Sequence, residues 1–157
     1  FSGYYRAPEV TARAFDARGY YKTGDLFELA GDRMQYYRYV GRSKDLVIRG
    51  GMNISAEELE GLLLACPGVR EVAVVGVPDA LMGEKVCACV TPHDGHTLAL
   101  EDIVQYLRAE RHVAAYKLPE FLLSMPSLPR NPVGKILKTE LRAQARARYA
   151  PSQGDAA

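Results

Sequence analysis

Three stretches of this chain combine residue types that can handle anions and sugars. The first is Tyr20-Tyr21-Lys22-Thr23-Gly24-Asp25-Leu26. A carboxylate in a glycine-containing turn can accept two hydrogen bonds at once, and the adjacent hydroxyls of a ribose form such a donor pair. The plainer alternative is that Asp25 closes the turn beside Gly24. The second stretch, GRSKDLVIRGGMNISAEELE, spans Gly41 to Glu60 and sets Arg42, Lys44 and Arg49 ahead of Gly50-Gly51. The planar fork of Arg42 can bind a phosphate or a pair of hydroxyls. It fits equally a surface arginine paired with a nearby acid such as Asp45, and Lys44 and Arg49 fit a solvated strand face. The third is Pro129-Arg130-Asn131-Pro132-Val133-Gly134-Lys135. Two prolines and a glycine lift Lys135 on an exposed loop ahead of a helix, where its ammonium could reach the oxygens of an anion. The spacing is not that of a Walker A loop, and a Gly-Lys pair alone is a weak signal. A loop lysine at a helix start needs no ligand. From Arg130 to Arg148 six basic residues face one acidic residue, Glu140. That local charge can attract a polyanion, although a solvated helix face has the same composition.

The elements that position these residues can be read from the 157-residue sequence, which is 48% hydrophobic and 25% charged, as in a soluble globular protein. The net charge of +1 points to neither nucleic acid nor an anionic membrane. No apolar run approaches the length of a membrane span, no signal peptide opens the chain, and the expected location is cytoplasmic. The opening Phe1-Ser2-Gly3 lacks an initiator methionine, so a fragment is expected. Cys87 and Cys89 lie two apart in an apolar run and so share a strand face, and Cys66 stands alone. No second Cys or His cluster completes a metal site, so no metal is expected and the cysteines read as buried free thiols. His93, His96 and His112 are scattered and receive no role.

Seven of the ten tyrosines precede residue 40, which suggests short strands and turns there. Met34–Val40 reads as a strand entered through a Gly31-Asp32 turn. After residue 45 the texture changes to alternating helices and strands, so a boundary is expected at residues 41–45. Asp45–Arg49 reads as a short strand and Gly50-Gly51 as a turn with positive φ. Ser55 and Glu58 form an S-x-x-E capping box, after which Leu59, Leu62, Leu63 and Cys66 recur at helical spacing up to Pro67-Gly68. Val69–Val77 is a nearly continuous apolar run, which suits a buried strand, and Gly83–Thr91 is a second strand. Leu100, Ile103, Val104 and Leu107 mark a helix with Glu101 and Asp102 near its positive end. Glu120–Met125 reads as a strand, Ser127–Gly134 as a loop, Thr139–Tyr149 as a final helix, and the residues from Pro151 as a disordered tail. The order implies an α+β domain with helices packed on a short sheet.

In this order and spacing, YYKTGD, GRSKDLVIRGGMNISAEELE and LPRNPVGKILK resemble the closing motifs of the adenylate-forming enzymes, the superfamily of acyl-CoA synthetases, peptide-synthetase adenylation domains and luciferases. The resemblance runs from Gly3 to about Arg148. It implies an α+β fold in which residues 1–43 are the last strands of a large N-terminal domain. Residues 44–149 are then the small mobile C-terminal domain, a short antiparallel sheet flanked by helices plus a β-hairpin, and residues 150–157 are a tail. The family activates a carboxylic acid with ATP and magnesium to an acyl-adenylate. It then passes the acyl group to coenzyme A or to a carrier-protein pantetheine. Carried over by motif, Asp25 matches the aspartate that holds the ribose hydroxyls of ATP and AMP, and Arg42 the arginine that also contacts the ribose. Lys44 matches the hinge residue between adenylation and thioester-forming arrangements. Gly50 and Gly51, with Asn53 just after them, match the loop that faces the pantetheine channel. Lys135 matches the catalytic lysine that reaches the acid and α-phosphate during adenylation. Some family members carry arginine where this chain has Asn53. Arg49 takes no role from the resemblance.

The phosphate loop, adenine platform, acyl pocket and magnesium ligands of the family are expected in a missing N-terminal domain. The leading expectation is the C-terminal part of an acyl-CoA synthetase, whose partners are a carboxylic acid, ATP/AMP and CoA. The alternatives are an aryl-acid adenylating enzyme that loads a carrier protein, and a non-catalytic binding module that keeps the fold. The chain alone is expected to be inactive. A pyrophosphate-exchange assay with a panel of carboxylic acids should therefore show no turnover by the purified 157-residue chain, and turnover would overturn that expectation.

Overall fold

A computed structural model describes residues 1–149. The chain divides into two compact units, Phe1–Lys44 and the remainder from Asp45 onward. The tail expected from residue 150 lies outside the described residues.

The first unit opens with helix α1 (Pro8–Ala14), which carries a proline in its first turn, where a missing N–H costs nothing. Strands β1 (Asp25–Ala30) and β2 (Tyr36–Arg42) pair antiparallel, with a bulge between Leu26 and Phe27. The turn between them uses Gly31 at φ 87°, and the Met34 amide donates to the Gly31 carbonyl at 2.9 Å. Phe27 packs edge-on against Tyr37 and Tyr39 across the ladder, which places part of the tyrosine-rich region on one hairpin face. Three details differ from the sequence reading. The strand expected at Met34–Val40 runs from Tyr36 to Arg42, because Met34 sits in the turn at φ 50°. The segment Pro8–Ala14 is helical rather than strand or turn. Asp25 opens a strand rather than sitting in the turn, because its register partner Arg42 lies opposite it.

The second unit is built on the hairpin of β5 (Val69–Asp79) and β6 (Gly83–Pro92). Both faces of this hairpin are buried, so its sequence is a continuous apolar run rather than an alternation. Val72, Val74, Val86, Ala88 and Val90 point into one core together with Leu59 and Leu63 of α2 (Ala56–Leu63) and Ile103 of α3 (Leu100–Gln105). Ala73, Val75, Val77, Cys87 and Cys89 point into the other, with Leu141 and Ala145 of α4 (Lys138–Tyr149). The helix α2 has eight residues, too few to be stable alone. Its buried leucines hold it, each contributing about 1.5–3 kcal/mol by removal from water. Ser55 caps it by accepting the Glu58 amide at 3.2 Å. The Glu58 carboxylate accepts from Lys117 at 2.8 Å, and α2 thereby gains a tie to the segment before the last strand.

Strand β3 (Leu46–Arg49) and strand β4 (Met52–Ser55) form a second hairpin, and β7 (Phe121–Ser124) completes a five-stranded sheet. The expected sheet was antiparallel; β7 instead runs parallel to β6, pairing Cys87 with Phe121 through Val90 with Ser124. The sheet is therefore mixed. The reason is topological: the segment between β6 and β7 carries α3 and a π turn at Tyr106–Glu110, a crossover long enough to bring the chain back in the same direction. The expected strand at Asp45 begins one residue later, because Ser43–Asp45 forms a 3-10 turn.

The three-residue tip of the β5–β6 hairpin is organised by Asp79, whose Oδ1 accepts the Leu81 and Met82 amides while Oδ2 meets the Lys85 ammonium at 2.8 Å. Lys85 and these amides hold the Asp79 carboxyl down to about 2 from its ordinary 3.8. A depressed carboxylate stabilises the fold above its unfolded value and loses that contribution as pH falls through the folded value. Asp79→Asn should therefore destabilise the protein at neutral pH. The difference from the parent, measured by urea denaturation, should shrink between pH about 4 and about 2. A difference that stays constant over that range would assign the effect to packing instead.

Candidate functional site

In the first unit the ladder of β1 and β2 sets Asp25 directly opposite Arg42, seventeen positions later in the chain. Arg42 Nε meets Asp25 Oδ1 at 3.1 Å, and about half of the arginine side chain remains exposed. The Asp25 amide is held by Thr23 Oγ1 at 3.1 Å, and the Ser43 amide donates to the Gly24 carbonyl at 2.8 Å. Gly24 adopts φ 77°, which a residue with a side chain rarely accepts. The result is an acceptor and a donor group fixed side by side at one end of a hairpin. A vicinal diol meets such a pair by donating to the carboxylate and accepting from the guanidinium. The two residues were separate candidates in the sequence. The ladder register brings them together, while Asp45 forms its ion pair with Arg142 at 3.4 Å.

Lys44 is an exposed residue of the 3-10 turn Ser43–Asp45, and the compact units divide immediately after it. The residues on either side are each anchored within their own unit, Ser43 through the Gly24 carbonyl and Asp45 through Arg142 of α4.

In the second unit Gly50 and Gly51 make the two-residue tip of the β3–β4 hairpin, between the paired Arg49 and Met52. Their φ values of 56° and 79° are the left-handed pair that a type I′ turn requires. The Gly50 amide donates to the Met82 carbonyl at 2.7 Å, and a Cβ at Gly50 would lie 2.9 Å from Met82 Cε. Asn53 pairs with Ile48 on the same hairpin and is exposed, while Ile54 beside it is buried. The tip is therefore bare backbone with polar and apolar side chains flanking it.

Lys135 stands at the end of a second small hairpin. An isolated bridge joins Arg130 to Ile136, the Asn131 amide donates to the Lys135 carbonyl at 2.9 Å, and the Lys135 amide donates to Asn131 Oδ1 at 2.8 Å. Gly134 at φ 84° closes the turn on the Asn131 carbonyl, and the Arg130 guanidinium links the Gly134 carbonyl to the Glu71 carboxylate of β5. Lys135 is exposed, and among the described residues its ammonium has no ion-pair partner. A braced loop thus holds out a cation on an exposed side chain.

Sequence reasoning left Arg49 without a role. The structure gives it a bidentate pair with Glu120, Nε to Oε2 at 3.1 Å and Nη2 to Oε1 at 3.0 Å, with both side chains mostly covered. No local pattern announces this contact, because 71 positions separate the two residues. Cys66, Cys87 and Cys89 are buried free thiols; the neighbouring Cys89 and burial push the Cys87 thiol far up, and burial raises Cys66. A raised thiol stays protonated and is a poor nucleophile. Among the described residues no group of three or more His, Cys, Asp or Glu is arranged to hold a metal ion, and no helix is long and apolar enough to cross a membrane. An open groove of about 630 Å³ beside α2, lined by Glu57, Leu62, Arg111 and His112, holds none of the candidate residues.

Residues 58–135 match the family model described as the AMP-binding enzyme C-terminal domain. The chain is 45% identical over 143 residues to a 2-hydroxy-7-methoxy-5-methyl-1-naphthoate–CoA ligase of Streptomyces carzinostaticus, covering 91% of this chain and 25% of that protein. It is 43% identical over 145 residues to a medium-chain fatty-acid–CoA ligase of Escherichia coli, with 90% and 25% covered. Among solved structures it resembles ATP-bound MatB from Rhodopseudomonas palustris, with a TM-score of 0.79, 39% identity, and coverage of 95% of this chain and 29% of that one. The chain spans about a quarter of the length of the curated relatives it matches.

Proposed function

Since the chain belongs to the adenylate-forming enzymes through its AMP-binding C-terminal domain, we propose that it is the C-terminal part of an AMP-forming carboxylic acid–CoA ligase. In the first half-reaction the acid carboxylate attacks the α-phosphate of ATP, pyrophosphate leaves, and an acyl-adenylate forms. In the second the CoA thiol attacks the acyl carbon and gives up its proton to solvent, and AMP leaves with the bonding electrons. The observation that carries this reading is the mounting of Lys135, an exposed ammonium at the end of a braced loop and at the edge of the matched domain. Attack of one anion on another gathers negative charge on the phosphoryl oxygens. A cation positioned there stabilises the transition state more than the separated reactants.

The other residues fit the same reaction. Asp25 accepts from the ribose hydroxyls and Arg42 donates to them, which orients the nucleotide. Lys44 is the hinge, and the anchored neighbours Ser43 and Asp45 support a change of φ and ψ confined to that residue. The side-chain-free turn at Gly50 and Gly51, with Asn53 beside it, faces the pantetheine arm during thioester formation. ATP would enter with magnesium. The roles assigned to this chain's own residues are positional and electrostatic. The nearly equal identities to an aryl-acid and a fatty-acid ligase support an acid pocket outside this span.

The test is paired half-reaction kinetics on the full-length enzyme. Lys135→Ala should cut adenylation by about 10²–10³, the scale seen when one oxyanion donor is removed. Thioester formation from presynthesised acyl-adenylate should stay within a few fold of the parent, and the melting temperature should hardly change. A fall in both steps, or in neither, would remove Lys135 from the adenylation site. Lys44→Pro fixes φ and deletes an N–H, so it should spare adenylation and slow thioester formation. Equal loss of both would count against a selective hinge. Running the second step with CoA and with a holo carrier protein decides the acceptor.

A further inference from the structure

The Gly50–Gly51 turn has no side chain with which to hold itself in place. Its position is set by backbone contacts and by the two residues at its base, Met52 and Arg49, of which Arg49 reaches beyond the hairpin through a charged pair. The backbone ladder there is thin: β3 meets β6 through one register pair, Arg49 with Gly83. The next amide along β3, that of Ile48, donates to the Glu84 carboxylate at 2.8 Å. The Gly50 amide reaches Met82 in the neighbouring hairpin tip.

Against this thin ladder stands the Arg49–Glu120 pair. Its two parallel N–H···O contacts fix the guanidinium in plane as well as in distance, which a point charge would not do. Glu120 is itself tied down: its amide donates to the Val86 carbonyl of β6 at 2.9 Å, and β7 begins at the next residue. The chain of contacts runs from the glycine turn through Arg49 and Glu120 to the central strand of the sheet. Asp79 and Lys85 pair with each other close by, and the field of Asp79 also favours the Arg49 charge. Two cations and two carboxylates cancel, so the cluster is not built to capture an anion. Its geometry suits holding elements together.

We propose that Arg49 is a positioning residue whose clamp on Glu120 fixes the base of the Gly50–Gly51 turn against β6 and so sets where that turn meets the pantetheine arm. The functional half of this statement rests on the reading of the turn given under the proposed function; the structural half does not. The clamp acts on the thioester step and leaves adenylation to Lys135.

The experiment compares the full-length enzyme with Arg49→Lys and with the exchanged pair Arg49→Glu/Glu120→Arg. Arg49→Lys keeps the charge and a similar volume but loses the fork. It should speed hydrogen exchange at the Gly50 amide and raise KM for CoA in the second half-reaction by roughly tenfold, the scale of one lost charge-assisted hydrogen bond. Pyrophosphate exchange should stay within about twofold of the parent, and the exchanged pair should recover much of the loss because it restores the contact with its ends reversed. Unchanged exchange at Gly50, or equal loss in both half-reactions, would overturn the clamp. Gly51→Asn separates the two halves of the argument, since asparagine tolerates positive φ but adds a side chain to the tip. If Gly51→Asn leaves thioester formation intact, the reading of the turn is wrong and exchange at Gly50 alone judges the clamp. If Gly51→Asn is impaired while Arg49→Lys keeps the parental KM for CoA, the positioning role is wrong.

Discussion

Everything in the larger unit depends on the two-sided burial of the β5–β6 hairpin. Successive side chains of a strand point to opposite faces, so a strand covered on one side alternates and a strand covered on both does not. Val72 and Val74 enter one core while Ala73 and Val75 enter the other, and Ala88 and Val90 alternate with Cys87 and Cys89 in the same way. Two faces of apolar surface have to be removed from water at once. Helices α2 and α3 cover one, and α4 covers the other. A charge placed at Val74 or Cys89 would meet a dry core with no partner to receive it.

With both faces committed to packing, polar chemistry is left to the edges and turns. β3 and β7 lie along the same side of β6, the first beside its start and the second beside its later residues. The charged residues Arg49, Glu120, Lys85 and Asp79 gather near that junction. The glycine turn and the Lys135 loop both project from stiff bases, one through the sheet and one through the Arg130 link to Glu71 of β5. Neither loop has to order itself when a ligand arrives, so less conformational entropy is lost at that moment. The smaller unit follows the same economy: one ladder register makes the Asp25–Arg42 pair, and one backbone bond closes the chain at Ser43.

The sequence by itself determined the features that depend on neighbours along the chain. The Gly50-Gly51 turn, the Ser55 cap and the apolar run of β5 arise from backbone sterics and local hydrogen bonding, and each is where the residue types place it, whereas α2 ends at Leu63, ahead of the expected stop at Pro67-Gly68. The three ordered motifs were also sufficient to indicate the family. Local patterns were weaker where two tendencies compete. Glu58 has the spacing to complete a capping box, yet its carboxylate goes to Lys117, because a charged partner outcompetes a neutral amide. Tertiary structure alone decided the contacts that cross the fold. Asp25 finds Arg42 through the register of a bulged hairpin, Arg49 finds Glu120 through a crossover that returns the chain parallel to β6, and Asp45 finds Arg142 on the last helix. Charge is legible in a sequence, but its partner is not. A carboxylate and a guanidinium carry no periodic signal of their own, and only the packing of apolar faces brings their backbones within reach.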